Sequence, residues 1–327
     1  KDLPWQKNIS PYRVWVSEIM LQQTQVNTVI PYFQRFIQVF PNVTALANAN
    51  EDDVLHQWSG LGYYSRARNL HKTAKIISDE YKNRFPKDLT ALQDLPGIGR
   101  STAGAILASA FQIATPILDG NVKRVLARHE CIEGWPGKST VANNLWQAST
   151  ALTPSYEPRI YTQAIMDLGA TLCTRSKPQC DSCPVSVSCL ALKQQRVTEL
   201  PGKKPKKVLP VKQTTMYMLL NAKGEVLLEK RPPTGIWGGL WSFPESPEVL
   251  SEAQTDTVQQ WPILRHTFSH FHLDITPVLL SSKVQDKLRN QIMDSSRLLW
   301  YNIDKPQALG LAAAVSKLLR QLSESIT

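Results

Sequence analysis

The chain has 327 residues, 42% of them hydrophobic, and a formal net charge of +10, the profile of a globular protein long enough for two domains. No apolar run approaches the length of a membrane span, nothing at the N-terminus reads as a secretory leader, and the excess of Lys and Arg points to a polyanionic partner, nucleic acid first. Five cysteines in a chain this long do not make a secreted disulfide scaffold: Cys131 stands alone, while Cys173, Cys180, Cys183 and Cys189 crowd together as in a metal centre.

The first 190 residues read as helical. Tyr12, Trp15, Val16, Ile19 and Met20 recur at helical spacing over 12–24, and a second helix is predicted over 28–40, closed by Pro41. Glu18 lies inside the first of these, with Val14 and Trp15 one turn before it and Leu21 one turn after. A carboxylate among such neighbours is open to desolvation, which raises its pKa and lets it hold a proton near neutral pH, as a general acid must. The plainer alternative is a glutamate on a solvent face. Residues 50–81 read as two helices broken at "GLG", directly before Tyr63 and Tyr64.

"LPGIGRST", residues 95–102, is a Pro–Gly turn feeding an Ala-rich helix over 101–110. Gly97 and Gly99 allow close approach of a ligand, and the helix N-terminus aims N–H groups and partial positive charge at one spot suited to a phosphate oxygen. An ordinary helix–helix corner is the alternative. In "PILDGNVKRV", residues 116–125, Asp119 precedes a helix predicted over 121–128. It reads either as an N-cap or as a carboxylate held beside a ligand gripped by the glycine turn. A further helix is predicted over 141–152. Then come the four crowded cysteines, with six, two and five residues between successive members. Zinc ribbons separate two close pairs by a longer stretch; this compact set, with Pro184 after the third cysteine, suits a [4Fe-4S] cubane held by four thiolates.

Residues 194–213 carry three prolines with Lys203, Lys204, Lys206 and Lys207, an exposed basic linker. After it the periodicity changes. "TTMYMLL" and "EVLLEKR" flank a hairpin signal at "NAKG". "WGGLWSF", "LRHTFSHFHLDITPVLL" and "SRLLWYNI" are further strand-like runs, and "AAAVSKLLRQL" is a closing helix. His266, His270 and His272 alternate near Asp274, a weak hint of a metal site. The expected organisation is an all-α domain over 1–193, with a helix-hairpin-helix at about 90–110 and a cysteine module at about 113–191. A linker follows over 194–212, then an α+β domain over 213–327.

Taken together, "LPGIGRSTAGAI", the aspartate of "LDGNVKRV" and the six, two, five cysteine set resemble the endonuclease III superfamily of helix-hairpin-helix DNA glycosylases. "SEIMLQQTQV" and "GLGYYSRARNLH" resemble its adenine DNA glycosylases, and the likeness runs over essentially the whole chain. The resemblance implies a DNA repair enzyme that acts as a monomer on double-stranded DNA in a bacterial cytoplasm, at the nucleoid, with no membrane association. It implies cleavage of the N-glycosidic bond of adenine mispaired with 8-oxoguanine or guanine, after the adenine is flipped out of the stack. In that reading Glu18 protonates adenine, Asp119 steadies the positively charged sugar and Asn121 hydrogen-bonds beside it. Gln22, Gln23, Thr24 and Tyr63 fill or line the gap beside the flipped base; Gln163 lies near adenine. Gly97, Gly99, Ser101 and Lys123 meet the DNA, and Arg66, Arg68, Arg124 and Arg128 join Lys123 as a basic lining for phosphates. Cys173, Cys180, Cys183 and Cys189 hold the cluster, with Arg175 and Lys177 on the loop between the first two.

The C-terminal part resembles a Nudix hydrolase in its strand pattern and in "WGGLWSFPE", but "SPEVLSEAQTDTVQQW" has no Arg-Glu-x-x-Glu-Glu core to bind magnesium. The likeness therefore implies a Nudix-like reader of 8-oxoguanine, with Phe268, Ser269 and His270 as its sensing loop. Ser101 stands where lyases of the superfamily carry a lysine; a hydroxyl forms no Schiff base, so hydrolysis without strand cleavage is expected. Two other readings stand beside this one: a bifunctional glycosylase/lyase, and a DNA-binding protein without catalysis, which would need neither Glu18 nor Asp119.

Overall fold

The computed structural model describes residues 3–205, 208–246, 255–282 and 297–326. They form two compact units, Lys1–Asn48 with Asn69–Lys206, and Ala49–Arg68 with Lys207–Thr327. In chain order the helices are α1 (Pro11–Leu21), α2 (Val26–Val39), α3 (Val43–Ala47), α4 (Glu51–Gln57), α5 (Ser65–Asp79), α6 (Leu89–Gln93), α7 (Arg100–Phe111), α8 (Gly120–His129), α9 (Ser139–Leu152), α10 (Pro158–Asp167) and α11 (Leu190–Lys193). A π-helical turn, Leu168–Leu172, extends α10.

Local chemistry sets these elements. The Ser10 hydroxyl accepts the Arg13 N–H as the N-cap of α1, and Pro11 at its first position has no N–H to lose. Trp15, Val16 and Met20 of α1 are fully buried. Residues Thr102 to Ala108 of α7 are all buried, and α1, α6 and α10 pack on that helix. A helix so enclosed must be built from small side chains, which explains its Ala-rich sequence.

The stretch after α7 is gripped from both sides. A Cβ on Gly104 would lie 2.5 Å from the Pro116 carbonyl oxygen, so only glycine lets the chain pass there. The Leu118 N–H donates to Ser101 Oγ at 3.0 Å, and Ser149 Oγ donates to the Ile117 carbonyl at 2.7 Å. Ile117 and Leu118 are themselves buried, and the next residue is Asp119.

The second unit is built on a sheet of β1 (Val211–Leu220), β2 (Glu225–Lys230), β3 (Trp241–Ser242), β4 (Thr255–Gln260), β5 (Leu264–Thr267), β6 (His272–Ser282) and β7 (Leu298–Asn302), followed by α12 (Ala313–Ile326). Strand order is β3-β2-β1-β6-β4; β5 also pairs with β6, and β7 with β2. The β1–β6 pair is parallel, from Val211 opposite His272 to Leu220 opposite Ser281. The β1–β2 hairpin closes where Asn221 Oδ1 accepts the N–H groups of Lys223 and Glu225, with Gly224 in the left-handed region at φ +75°.

Two findings differ from the sequence reading. Residues 49–68, expected within the helical domain, group with the sheet. Lys230 Nζ meets Asp52 Oδ1 at 2.9 Å, the Tyr64 hydroxyl donates to the Leu311 carbonyl at 3.0 Å, and Gly310 leaves no room for a side chain against Leu55. Second, "LRHTFSHFHLDITPVLL" is a hairpin of β5 and β6 rather than one run, turning through Phe268–Phe271. Residues 247–254, in the segment whose missing glutamate core argued against magnesium binding, lie outside the described residues, as do Lys206 and Lys207 of the linker.

Gly104→Ala is expected to destabilise the helical unit by about 1–3 kcal/mol through overpacking against Pro116. A lowered urea midpoint for that unit would show it, and an unchanged midpoint would mean the segment gives way freely.

Candidate active site

A cavity of about 570 Å³ opens in the helical unit. Its wall holds Glu18 from α1, Thr24, Asp119 and Asn121 from the start of α8, and Gln163 from α10, with Trp5, Ile9, Val14, Leu21, Ile160 and Met166 as its apolar part. Five residues singled out in the sequence are thus brought together. Three from α10 and its π turn, Arg159, Asp167 and Ala170, were not foreseen. Arg159, Gln163 and Asp167 lie four apart, one stripe on one helix face, and that spacing was the available signal.

Glu18 is part-buried at the cavity wall. Burial, and then the nearby Asp119 charge, push its carboxyl from the ordinary 4.5 up to about 8. Asp119 is the N-cap of α8 as well as a wall residue: its Oδ1 accepts the Val122 N–H at 2.7 Å, at a helix end whose dipole favours negative charge. The two sequence readings of Asp119 are therefore compatible. Asn121 Oδ1 accepts from Arg124 Nη2 at 2.9 Å, and Gly169 packs against Asn121 so closely that any Cβ would strike it.

Gln22, Gln23, Lys123 and the glycine turn lie outside this cavity. Gln23 is exposed, with φ +58°. In the turn, Gly97 has φ +81° and its missing Cβ would lie 2.9 Å from Asn69 Cβ. Gly99, the N-cap of α7, faces open space, and no side chain caps the N–H groups that follow it. Ser101 sits in that first turn with its oxygen engaged by Leu118 N–H.

The expected basic lining is largely turned inward. Arg124 donates to the carbonyls of Cys173 and Gly169 and to Asn121 Oδ1. Arg128 is buried and donates to the carbonyls of Leu200, Thr174 and Arg175 and to Cys173 Sγ. In the second unit Arg66 donates to the Leu61 and Gly62 carbonyls and lies over the Trp58 and Tyr63 rings, and Arg68 donates to the Gly238 carbonyl. These side chains hold the fold, because a guanidinium carries five donors and bridges several carbonyls at once. Arg175 and Lys177 remain exposed.

The four crowded cysteines line one small apolar cavity of about 30 Å³ with Val125, Leu168, Leu172 and Leu192. Burial, then the neighbouring Cys173, Cys189 and Cys183, push the Cys180 thiol up. Among the described residues no three His, Cys, Asp or Glu side chains form a site for a single metal ion. Four thiols lining one void, with Arg128 donating to one sulfur at 3.3 Å, are the donor chemistry that a four-thiolate cluster takes.

In the second unit a cavity of about 620 Å³ is lined by Tyr63, Tyr64, Arg68, Trp237 and the Phe268–Phe271 turn. Tyr63 is 46% exposed with φ +49°, a strained conformation for an aromatic residue. Phe268 stacks on Phe271 at 4.5 Å and touches Trp237 and His266, which leaves Ser269 and His270 exposed at the tip. The weak three-histidine idea fails on register: His266 faces Leu273 while Thr267 faces His272, so His266 and His272 lie on opposite sides of the sheet.

Comparison with known proteins divides the chain by sequence, and residues 49–68, which group with the sheet by contact, fall within the first match. Residues 16–150 match the model of the HhH-GPD superfamily of base excision DNA repair proteins, and residues 215–321 match the NUDIX domain. An adenine DNA glycosylase of Buchnera aphidicola subsp. Baizongia pistaciae is 38% identical over 99% of this chain and 93% of its own length. Another, from the subspecies Acyrthosiphon pisum, is 39% identical over 100% and 94%. The solved structure of a thermostable thymine-DNA glycosylase superposes with a TM-score of 0.53 at 25% identity, over 59% of this chain and 89% of that one.

The raised Glu18 carboxyl has a stability consequence. The folded state keeps a proton that the unfolded chain releases near its ordinary 4.5, so wild-type stability falls as pH rises from there through about 8. Glu18→Gln carries no such loss. Its stability relative to wild type should increase across that window and level off above it, as read by urea unfolding at about pH 5, 7 and 9. A constant difference would place Glu18 in water.

Proposed function

The chain belongs to the adenine DNA glycosylases, hydrolases of N-glycosyl bonds in base excision repair, and from that premise we propose how its own cavities do the work. The observation that carries the reading is the pairing of Glu18 and Asp119 on one cavity wall, one carboxyl held protonated at neutral pH by burial and the other fixed at a helix N-terminus. The adenine swings out of the duplex into this cavity, at least cost when it is mispaired. Glu18 delivers its proton to a ring nitrogen, so the base leaves neutral. The Asp119 carboxylate stabilises the positive charge that develops on the sugar, with Asn121 beside it, and water completes the hydrolysis.

No enzyme amine is needed. The Ser101 hydroxyl is not a nucleophile for a Schiff base, and its oxygen is already engaged by Leu118; Lys123 does not line the cavity. The abasic strand therefore leaves intact. The glycine turn at Gly97 and Gly99 receives a phosphate at the α7 N-terminus, and Gln22, Gln23 and Thr24 fill the space beside the extruded base. Cys173, Cys180, Cys183 and Cys189 hold a [4Fe-4S] cluster; when bound it ties four points of one segment together. Arg128 steadies the Cys173–Cys180 loop from beneath and leaves Arg175 and Lys177 facing outward for phosphates.

The second cavity is the reader of the opposite base, 8-oxoguanine or guanine. Phe268 is locked by its aromatic neighbours, so the exposed Ser269 and His270 are presented on a rigid tip, with the strained Tyr63 at the same cavity as the wedge. One monomer contains both cavities, and the protein works at the chromosome in the bacterial cytoplasm.

Two outcomes test this reading. Single-turnover adenine release should fall on the alkaline side with an apparent pKa near 8 and vanish in Glu18→Gln while mismatch binding persists; strand breaks should appear only after alkali treatment. Release that is independent of pH across this range, or survives in Glu18→Gln, removes Glu18 from the acid role. Replacing Ser269 and His270 together by alanine should lower the preference for 8-oxoguanine over guanine by about tenfold, equivalent to about 1.4 kcal/mol. An unchanged preference would take the reader role away from this turn.

A further inference from the structure

We propose that Asp167 is a positioning residue that sets the base selectivity of the cavity by fixing the amide of Gln163. The proposal rests on the reading of that cavity as the adenine site. Gln163 Nε2 donates to Asp167 Oδ1 at 2.8 Å, one helical turn apart on α10, and both side chains line the cavity. A carboxylate only accepts, so it engages the NH₂ end of the amide and no other. That choice leaves Oε1 as the group that Gln163 offers to a ligand, an acceptor.

The same helix face offers a donor. Arg159, one turn before Gln163, lines the cavity as the only cation of its wall among the described residues. Its Nε is buried with no hydrogen-bond partner among them. A buried donor without an acceptor is costly, and it is relieved when a ligand supplies one.

An acceptor and a donor one helical turn apart on the same cavity wall match one purine edge and oppose the other. Adenine presents a 6-amino donor and an N1 acceptor, which pair with Gln163 Oε1 and Arg159. Guanine and hypoxanthine present a 6-carbonyl acceptor and an N1–H donor, which meet like groups. A site built to hydrogen-bond one pattern rejects the reverse strongly, because its own polar groups are then left unpaired. Without Asp167 the Gln163 amide is free to rotate by half a turn and offer NH₂, which welcomes the carbonyl.

The test compares single-turnover release of adenine and of hypoxanthine from otherwise identical duplexes, each opposite 8-oxoguanine. Asp167→Asn offers both a donor and an acceptor to Gln163, so the adenine-to-hypoxanthine rate ratio should fall about tenfold. Combining it with Gln163→Glu, whose carboxylate has acceptors in either orientation, should restore the ratio toward wild type. Each ratio is internal to one protein preparation, so loss of folded material does not alter it. A wild-type ratio in Asp167→Asn, or no recovery in the double variant, overturns the proposal while leaving the glycosylase reading intact. Adenine release that survives Glu18→Gln would instead remove the cavity reading beneath it.

Discussion

The grip on the backbone from Pro116 to Leu118 is the constraint on which the geometry of the Glu18–Asp119 cavity depends. Gly104 lets that segment pass at a distance no other residue permits, and two serine hydroxyls hold it from α7 and α9. Asp119 follows at once and closes the arrangement by capping α8. A carboxylate with one oxygen committed to a cap loses rotational freedom, which restricts where its other oxygen can lie. Because α1 and α10 also pack on α7, the helix of the glycine turn is the common reference for the walls that carry Glu18, Asp119 and Gln163.

In the cavity, location gives two similar groups different protonation environments, which the proposed mechanism uses as different tasks. Glu18 lies on a helix whose neighbours are apolar, and withdrawal from water leaves it protonated. Asp119 lies at a helix N-terminus, where main-chain dipoles favour the anion. Burial at one carboxyl and a cap at the other are what separate the two roles in the proposed mechanism.

Much of this was legible in the chain. Helices α1, α2, α7, α8 and α9 announced themselves by spacing or composition, whereas α10 was not anticipated; the β1–β2 hairpin was marked by "NAKG", and the glycine turn, Glu18 and Asp119 by residue type in context. What stayed hidden depends on partners distant in sequence. Nothing local says that residues 49–68 pack with the sheet, because the Asp52–Lys230 pair and the Tyr64–Leu311 bond join residues 178 and 247 positions apart. The β5–β6 turn lacks the usual glycine, proline or asparagine; it is closed by the Phe268 N–H donating to the Phe271 carbonyl at 2.9 Å, with the two rings stacked across it. The fate of the arginines was misjudged for the same reason, since their acceptors are carbonyls that carry no signature in the sequence. Arg159 and Asp167 escaped notice because a polar stripe on an amphipathic helix reads as its solvated face.

The inward-facing arginines change how this protein grips a polyanion. Each cation that lies against a phosphate frees condensed counterions from DNA, and the freed ions make binding weaken as salt rises. Arg124 and Arg128, held against carbonyls around the cysteine cavity, take no part in that exchange. The net charge of +10 therefore overstates the ionic part of the affinity. On the proposed reading, more of the hold on DNA falls to main-chain N–H groups at a helix end and to shape around a displaced base, which release few ions. A protein that binds in this proposed way would stay on a lesion at ionic strengths that strip a purely electrostatic binder from the duplex, and weak nonspecific retention elsewhere would shorten its search between lesions.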